Sequence, residues 1–124
     1  MSEALLRDRR VLVVEDEYFI ADAMQRGLKK EGAIVLGPAP SVAEALALID
    51  SQPVDAAILD LNLGDEKAFP VADVLQARDI PFLFTTGYDA SDVPPAWRHV
   101  PRLEKPVEVA TIVRALRSAG EDAL

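Results

Sequence analysis

The sequence predicts an α/β fold, with five parallel strands in one sheet and helices on both faces. Three observations point there. Short continuous apolar runs alternate with segments whose apolar residues fall at helical spacing. The runs lack the alternation of a strand with one wet face, so they read as strands buried on both sides. Right-handed crossovers between such strands leave few other topologies. A chain of 124 residues, 50% hydrophobic, can bury one core but is short for two domains, so a single domain over 1–124 is expected, with its core at about 10–119.

The first strand is Val11-Leu12-Val13-Val14. Its helix carries Ile20, Ala23, Met24, Gly27 and Leu28 on one face, with Gly32 as the stop. The second strand, Ala33-Ile34-Val35-Leu36, leads to a helix opened by a capping box, Ser41 with Glu44 three residues on, that turns Val42, Ala45, Leu46 and Ile49 inward. Ala56-Ala57-Ile58-Leu59 forms the third strand; Pro70 starts the helix after it, and Val71, Val74 and Leu75 anchor that helix. Phe82-Leu83-Phe84-Thr85 is the fourth strand, after which Pro94 and Pro95 leave room for about one helical turn around Trp97. The fifth strand, near Arg102-Leu103, has the weakest pattern. Val109, Ile112, Val113 and Leu116 define the closing helix, with Arg114 and Arg117 placed near its C-terminal end, where the macrodipole favours cations.

Composition narrows the function classes. The absence of cysteine removes disulfides and thiolate metal sites and fits a reducing compartment. The start, MSEALLRDRR, mixes charges and lacks the apolar core of a signal peptide, and no later run reaches the length of a membrane span. The chain therefore reads as cytoplasmic, with no membrane partner. A formal net charge of -8 argues against direct nucleic-acid binding, which needs clustered Lys and Arg. Otherwise that acidity is what a solvated surface carries.

In a doubly wound parallel sheet, ligands bind beyond the carboxyl ends of the strands. At those ends stand Glu15, Asp16 and Glu17, then Asp60, then Thr85 and Thr86, and finally Lys105. Singly, each has an ordinary explanation: Glu15 or Asp16 as a helix cap, Asp60 as a turn residue, Thr86 before Gly87 as turn chemistry, Lys105 as a solvated lysine. Jointly they bring carboxylates, an ammonium and hydroxyls to one crevice. Crowded carboxylates need a cation, and oxygen ligands without His or Cys select a hard one, Mg²⁺ rather than zinc. The set suits phosphoryl transfer to a carboxylate, with Asp60 attacking and Lys105 and Thr86 meeting the phosphoryl oxygens.

Four segments, VLVVEDE at 11–17, ILDLNLGD at 58–65, FTTGYD at 84–89 and LEKP at 103–106, resemble in order and separation the receiver domain of two-component response regulators, along nearly the whole chain. The resemblance implies a flavodoxin-like (βα)5 sheet of strand order 2-1-3-4-5, the fourth helix being short or irregular. It implies Asp60 as phosphoacceptor, and Mg²⁺ held by Asp16, Asp60 and the backbone carbonyl of Asn62, with Glu15 acting mainly through water. Thr86 and Lys105 would meet the phosphoryl group, and the bond before Pro106 would be cis. The donor would be a histidine kinase or histidine phosphotransfer protein. Output would go to a downstream protein target by direct contact, since little follows the last helix, with a homodimer as a further candidate. His99, the sole histidine, lies outside these segments and reads as a surface residue.

One departure concerns the output side. Receivers commonly carry an aromatic three residues before the lysine; here that place is Arg102, which leaves Tyr88, and after it Trp97, as candidate switch residues. Positions 62 and 88 also flank the path of an attacking water, and Tyr88 is large enough to impede it, so slow self-dephosphorylation is expected. Two rival functions are a Mg²⁺-dependent aspartyl-phosphate phosphatase or phosphotransferase and a receiver-like module that binds without phosphorylation. The first, if of the haloacid-dehalogenase type, would need a carboxylate where Asn62 stands. A signalling module that assists only its own phosphorylation and dephosphorylation is expected, not an enzyme with a diffusible substrate.

Overall fold

The computed structural model describes residues 6–87 and 93–122, with side chains up to 117 at the C-terminal end. In chain order the elements are β1 (Arg10–Val14), α1 (Tyr18–Lys30), β2 (Ile34–Ala39), α2 (Val42–Ser51), β3 (Ala56–Asp60), β4 (Asn62–Leu63), β5 (Glu66–Lys67), α3 (Phe69–Ala77), β6 (Phe82–Thr86), a 3₁₀ turn (Pro95–Trp97), β7 (Arg102–Glu104) and α4 (Val109–Asp122). Five strands pair in parallel in the order β2-β1-β3-β6-β7. That is the expected 2-1-3-4-5 order of the sheet strands. The short pair β4-β5 is a separate antiparallel hairpin that the apolar pattern does not announce.

Strand side chains alternate between the two faces of the sheet. Leu12, Val14, Ala57, Leu59, Phe82 and Phe84 pack against α2 and α3 through Ala45, Ile49, Val71 and Leu75. Val11, Val13, Ile58 and Leu83 pack against α1 and α4 through Met24, Leu28, Ile112 and Leu116. Leu6 adds to this second layer from upstream of β1 and is 4% exposed. Both faces are therefore dry, as the continuous apolar runs require.

Helix ends follow local chemistry. At the end of α1, the N–H of Gly32 donates to Lys29 at 3.0 Å and that of Ala33 to Leu28 at 3.1 Å, the Schellman pattern, with Gly32 at φ 89°. Ser41 Oγ caps α2 by accepting from the N–H of Glu44 at 3.2 Å. A second acceptor at this N-terminus comes from the hairpin, where Glu66 Oε2 accepts from the N–H of Val42 at 3.1 Å. Pro70 sits in the first turn of α3, where its missing N–H costs nothing.

Three local expectations shift. Strand β2 does not stop at Leu36 but continues through a cis Gly37-Pro38 bond to Ala39. It lies at the sheet edge, where a residue without an N–H is tolerated. Gly37 adopts φ 92° where the β1-β2 register slips, and a Cβ there would come within 2.6 Å of the Ala39 nitrogen. On α1 it is Ala21 that is buried, while Ala23 stays exposed. Helix α4 continues to Asp122, so Arg114 and Arg117 lie within it and not in its last turn.

The Pro94-Pro95 segment does give a single turn. Trp97 anchors it, 7% exposed, stacked on Phe69 with ring centroids 6.2 Å apart and edge-on to Phe82 and Phe84. Among the described residues no helix is long and apolar enough to cross a membrane.

Candidate functional site

Strands β1, β3 and β6 run parallel and end at one edge, so the residues at their ends meet. Glu15 follows β1 and is held there by its N–H, which donates to the Ala39 carbonyl at 3.0 Å. Asp60 closes β3, the central strand, and pairs in register with Thr85 of β6. Lys105 follows β7, its N–H donating to the Thr86 carbonyl at 2.8 Å, and the bond to Pro106 is cis. Burial on both faces pins these backbones, and the polar side chains are presented from them.

The lysine joins two carboxylates. Lys105 Nζ lies 2.7 Å from Glu15 Oε1 and 3.2 Å from Asp60 Oδ2. Glu15 and Asp60 are 3% and 4% exposed, so this is a largely desolvated cluster and not a surface pair. The second oxygens are also held: Asp60 Oδ1 accepts from the N–H of Asn62 at 3.3 Å, and Glu15 Oε2 from that of Glu17 at 3.3 Å. Asp16 is exposed, and the N-cap of α1 is Glu17, which makes no side-chain cap bond, so helix capping does not account for Asp16. Glu15, Asp16 and Asp60 each bring a carboxylate oxygen within 4.8 Å of the others.

Thr85 and Thr86 are buried beside them, and Thr85 Oγ1 has no hydrogen-bond partner among the described residues. Asn62 and Gly87 border the same opening, which continues into a cavity of about 710 Å³ between α1 and the start of α4. Tyr88, the candidate switch, lies outside the described residues. His99 and Arg102 are exposed, and Trp97 is locked into the aromatic cluster on the α2-α3 side. From the hairpin Lys67 reaches Asn62 at the edge of the site, whereas Glu66 turns to the Val42 N–H of α2, and no apolar period marked either of them.

Burial, reinforced by the adjacent Glu15 carboxyl and opposed by Lys105, pushes the Asp60 carboxyl up to about 7. Burial alone would lower the Lys105 ammonium, but Glu15 and Asp60 outweigh it and hold it above its usual value. A raised carboxyl means that the folded state binds a proton the unfolded chain has released, so stability falls as pH rises from about 4 towards 7. Asp60→Asn is therefore expected to raise the melting temperature in Mg²⁺-free buffer at about pH 8, by roughly 5 °C or more, and to change it little at about pH 4. Thermal melts across that range check the sign.

Three carboxylates facing one ammonium leave two formal negative charges in an oxygen-only cluster. The donor set thus fits a divalent hard cation in charge and in kind.

The family model for the response regulator receiver domain matches residues 11–117. The chain belongs to that family. Receivers of this kind are the phosphoryl-signalling inputs of two-component systems, modules and not classical enzymes. Among curated receivers, the photosynthetic apparatus regulatory protein RegA of Cereibacter sphaeroides is 32% identical over 119 residues, covering 92% of this chain and 64% of RegA. This receiver spans less than two thirds of the length of the curated relatives it matches. The solution structure of SdrG from Sphingomonas melonis Fr1 is 41% identical, with a TM-score of 0.80, covering 96% of this receiver and 98% of that chain. A BeF3-activated conformation of SdrG, from Pseudomonas melonis Fr1, is 40% identical with a TM-score of 0.74, covering 95% of this receiver and 98% of that chain.

Proposed function

We propose that this receiver takes a phosphoryl group onto Asp60 from the phosphohistidine of a histidine kinase or histidine phosphotransfer protein. The observation that carries this is the buried Asp60 carboxylate, 3.2 Å from Lys105 and grouped with Glu15 and Asp16 at one sheet edge. An Asp60 oxygen attacks the phosphorus in line, the P–N bond breaks, and its electron pair leaves with the donor imidazole. Lys105 and the Thr86 hydroxyl compensate the phosphoryl oxygens. Asp16, Asp60 and the Asn62 carbonyl would hold Mg²⁺, with Glu15 acting through water. The bound ion supplies neutralising charge to the transferring group.

The BeF3-activated conformation of SdrG supports this reading, because BeF3 resembles a phosphoryl group in shape and charge. Asn62 in place of a second carboxylate weighs against a phosphatase of the haloacid-dehalogenase type, which favours a signalling module over an enzyme with a diffusible substrate. Output runs by contact with a downstream protein target, with Tyr88 as the candidate switch and a homodimer as a further assembly. A cytoplasmic location and the absence of direct nucleic-acid or membrane binding fit the acidic, cysteine-free chain.

Intact-mass measurement after incubation with acetyl phosphate tests the proposal. A gain of one phosphoryl group that needs Mg²⁺ and is lost in Asp60→Asn is expected. Continuous phosphate release without a mass gain would favour the phosphotransferase, and no change at all the phosphorylation-independent module.

A further inference from the structure

We infer that Lys67 is a positioning residue that fixes the Asn62 carboxamide at the mouth of the site and thereby lengthens the life of the phosphorylated state. This rests on the proposed phosphorylation of Asp60. Asn62 and Lys67 are directly paired residues of the β4-β5 hairpin, so their side chains leave the same face of that ribbon. Lys67 Nζ donates to Asn62 Oδ1. The hairpin is itself anchored. Leu63 is buried, Glu66 Oε2 accepts from the N–H of Val42 at 3.1 Å, the N–H of Ala68 donates to the Leu61 carbonyl at 3.1 Å, and Gly64 supplies φ 65° at the turn. Such anchoring holds the two backbone positions opposite each other, while the Lys67 side chain itself is exposed.

The chemistry follows from what each group can do. An ammonium only donates, so it fixes which end of the carboxamide is engaged: the oxygen turns to Lys67 and the NH2 group is left over. Asn62 also sits against the nucleophile, since its N–H reaches Asp60 Oδ1 at 3.3 Å and it borders the opening with Asp16, Asp60 and Lys105. Hydrolysis of the acyl phosphate requires a water to attack phosphorus as the P–O bond to Asp60 breaks, giving inorganic phosphate, the free carboxylate and a proton released to solvent. The amide oxygen is the part of Asn62 able to accept a hydrogen bond from that water and orient it. Lys67 takes one lone pair of that oxygen and sets its direction, so the oxygen cannot turn freely to the water. Releasing the latch frees the oxygen and speeds hydrolysis.

The test follows decay of the acyl phosphate after removal of acetyl phosphate. Lys67→Ala is expected to shorten the lifetime roughly three- to tenfold, the scale of one hydrogen bond's net effect, while Lys67→Arg restores it and the melting temperature and Mg²⁺ affinity of both stay at wild-type values. In an Asn62→Ala background the same lysine change should do nothing further. Equal lifetimes in wild type and Lys67→Ala, or an undiminished Lys67→Ala effect without the Asn62 carboxamide, overturn the inference while phosphorylation of Asp60 stands. Failure of the wild type to form an acyl phosphate overturns both.

Discussion

Lys105→Ala is expected to cost about 3–5 kcal/mol of stability at about pH 8 in Mg²⁺-free buffer, the scale for removing one partner from a buried charge cluster. The loss should shrink as pH falls. Without the ammonium, Glu15 and Asp60 face each other uncompensated at 3% and 4% exposure, and in Mg²⁺-free buffer a proton taken up by Asp60 relieves the pair. Asp60 is already pushed up to about 7 with Lys105 present, and removing the opposing cation raises it further. The folded variant therefore binds more protons than the unfolded chain over a wider range, and its stability falls steadily with rising pH through neutrality. Mg²⁺ should recover part of the loss, and acetyl phosphate should label the variant roughly 100-fold more slowly. Urea melts at several pH values, with and without Mg²⁺, check this. A loss independent of pH would mean that Lys105 matters for packing and not for charge.

Asp16→Ala should separate metal binding from folding. Its carboxylate is exposed, caps no helix, and completes the trio whose ligand atoms lie within 4.8 Å. Removal is expected to weaken Mg²⁺ by about 100-fold or more, beyond the usual cost of losing an outer-shell partner. Stability without the ion should stay level or rise, since one negative charge leaves a crowded acidic site. The Mg²⁺-induced rise in melting temperature, which follows from binding the native state alone, should disappear at millimolar ion. A rise matching wild type would place the ion elsewhere.

Much of the fold was legible because burial on two faces writes itself into the sequence. Val11–Val14, Ala56–Leu59 and Phe82–Phe84 are short continuous apolar runs of the kind an interior strand carries, and Ser41 and Gly32 marked helix ends by cap chemistry. Edges were harder to read. Strand β7 is three residues with one face wet, and β2 continues past a glycine and a proline that usually signal a stop. The β4-β5 hairpin buries Leu63 alone among its four paired residues, so no apolar period betrays it. The cluster could be located because strand ends are predictable in a parallel sheet, whereas the partition of Lys105 between Glu15 and Asp60, and the Lys67 latch, depend on side-chain geometry that spacing does not encode. The route by which a signal leaves is likewise not a matter of pattern: Arg102 is exposed where an aromatic is common, and Trp97 is packed against Phe69.

The proposed function turns on a phosphoryl group carried by Asp60. Borohydride reduces an aspartyl phosphate to homoserine, so the phosphorylated protein can be trapped, digested and sequenced by mass spectrometry. Homoserine at position 60 and at no other carboxylate, appearing only with both phosphodonor and Mg²⁺, is the expected result. Homoserine at Asp16, its five-carbon homologue 2-amino-5-hydroxypentanoic acid at Glu15, or a phosphoryl group that survives in Asp60→Asn, would contradict it.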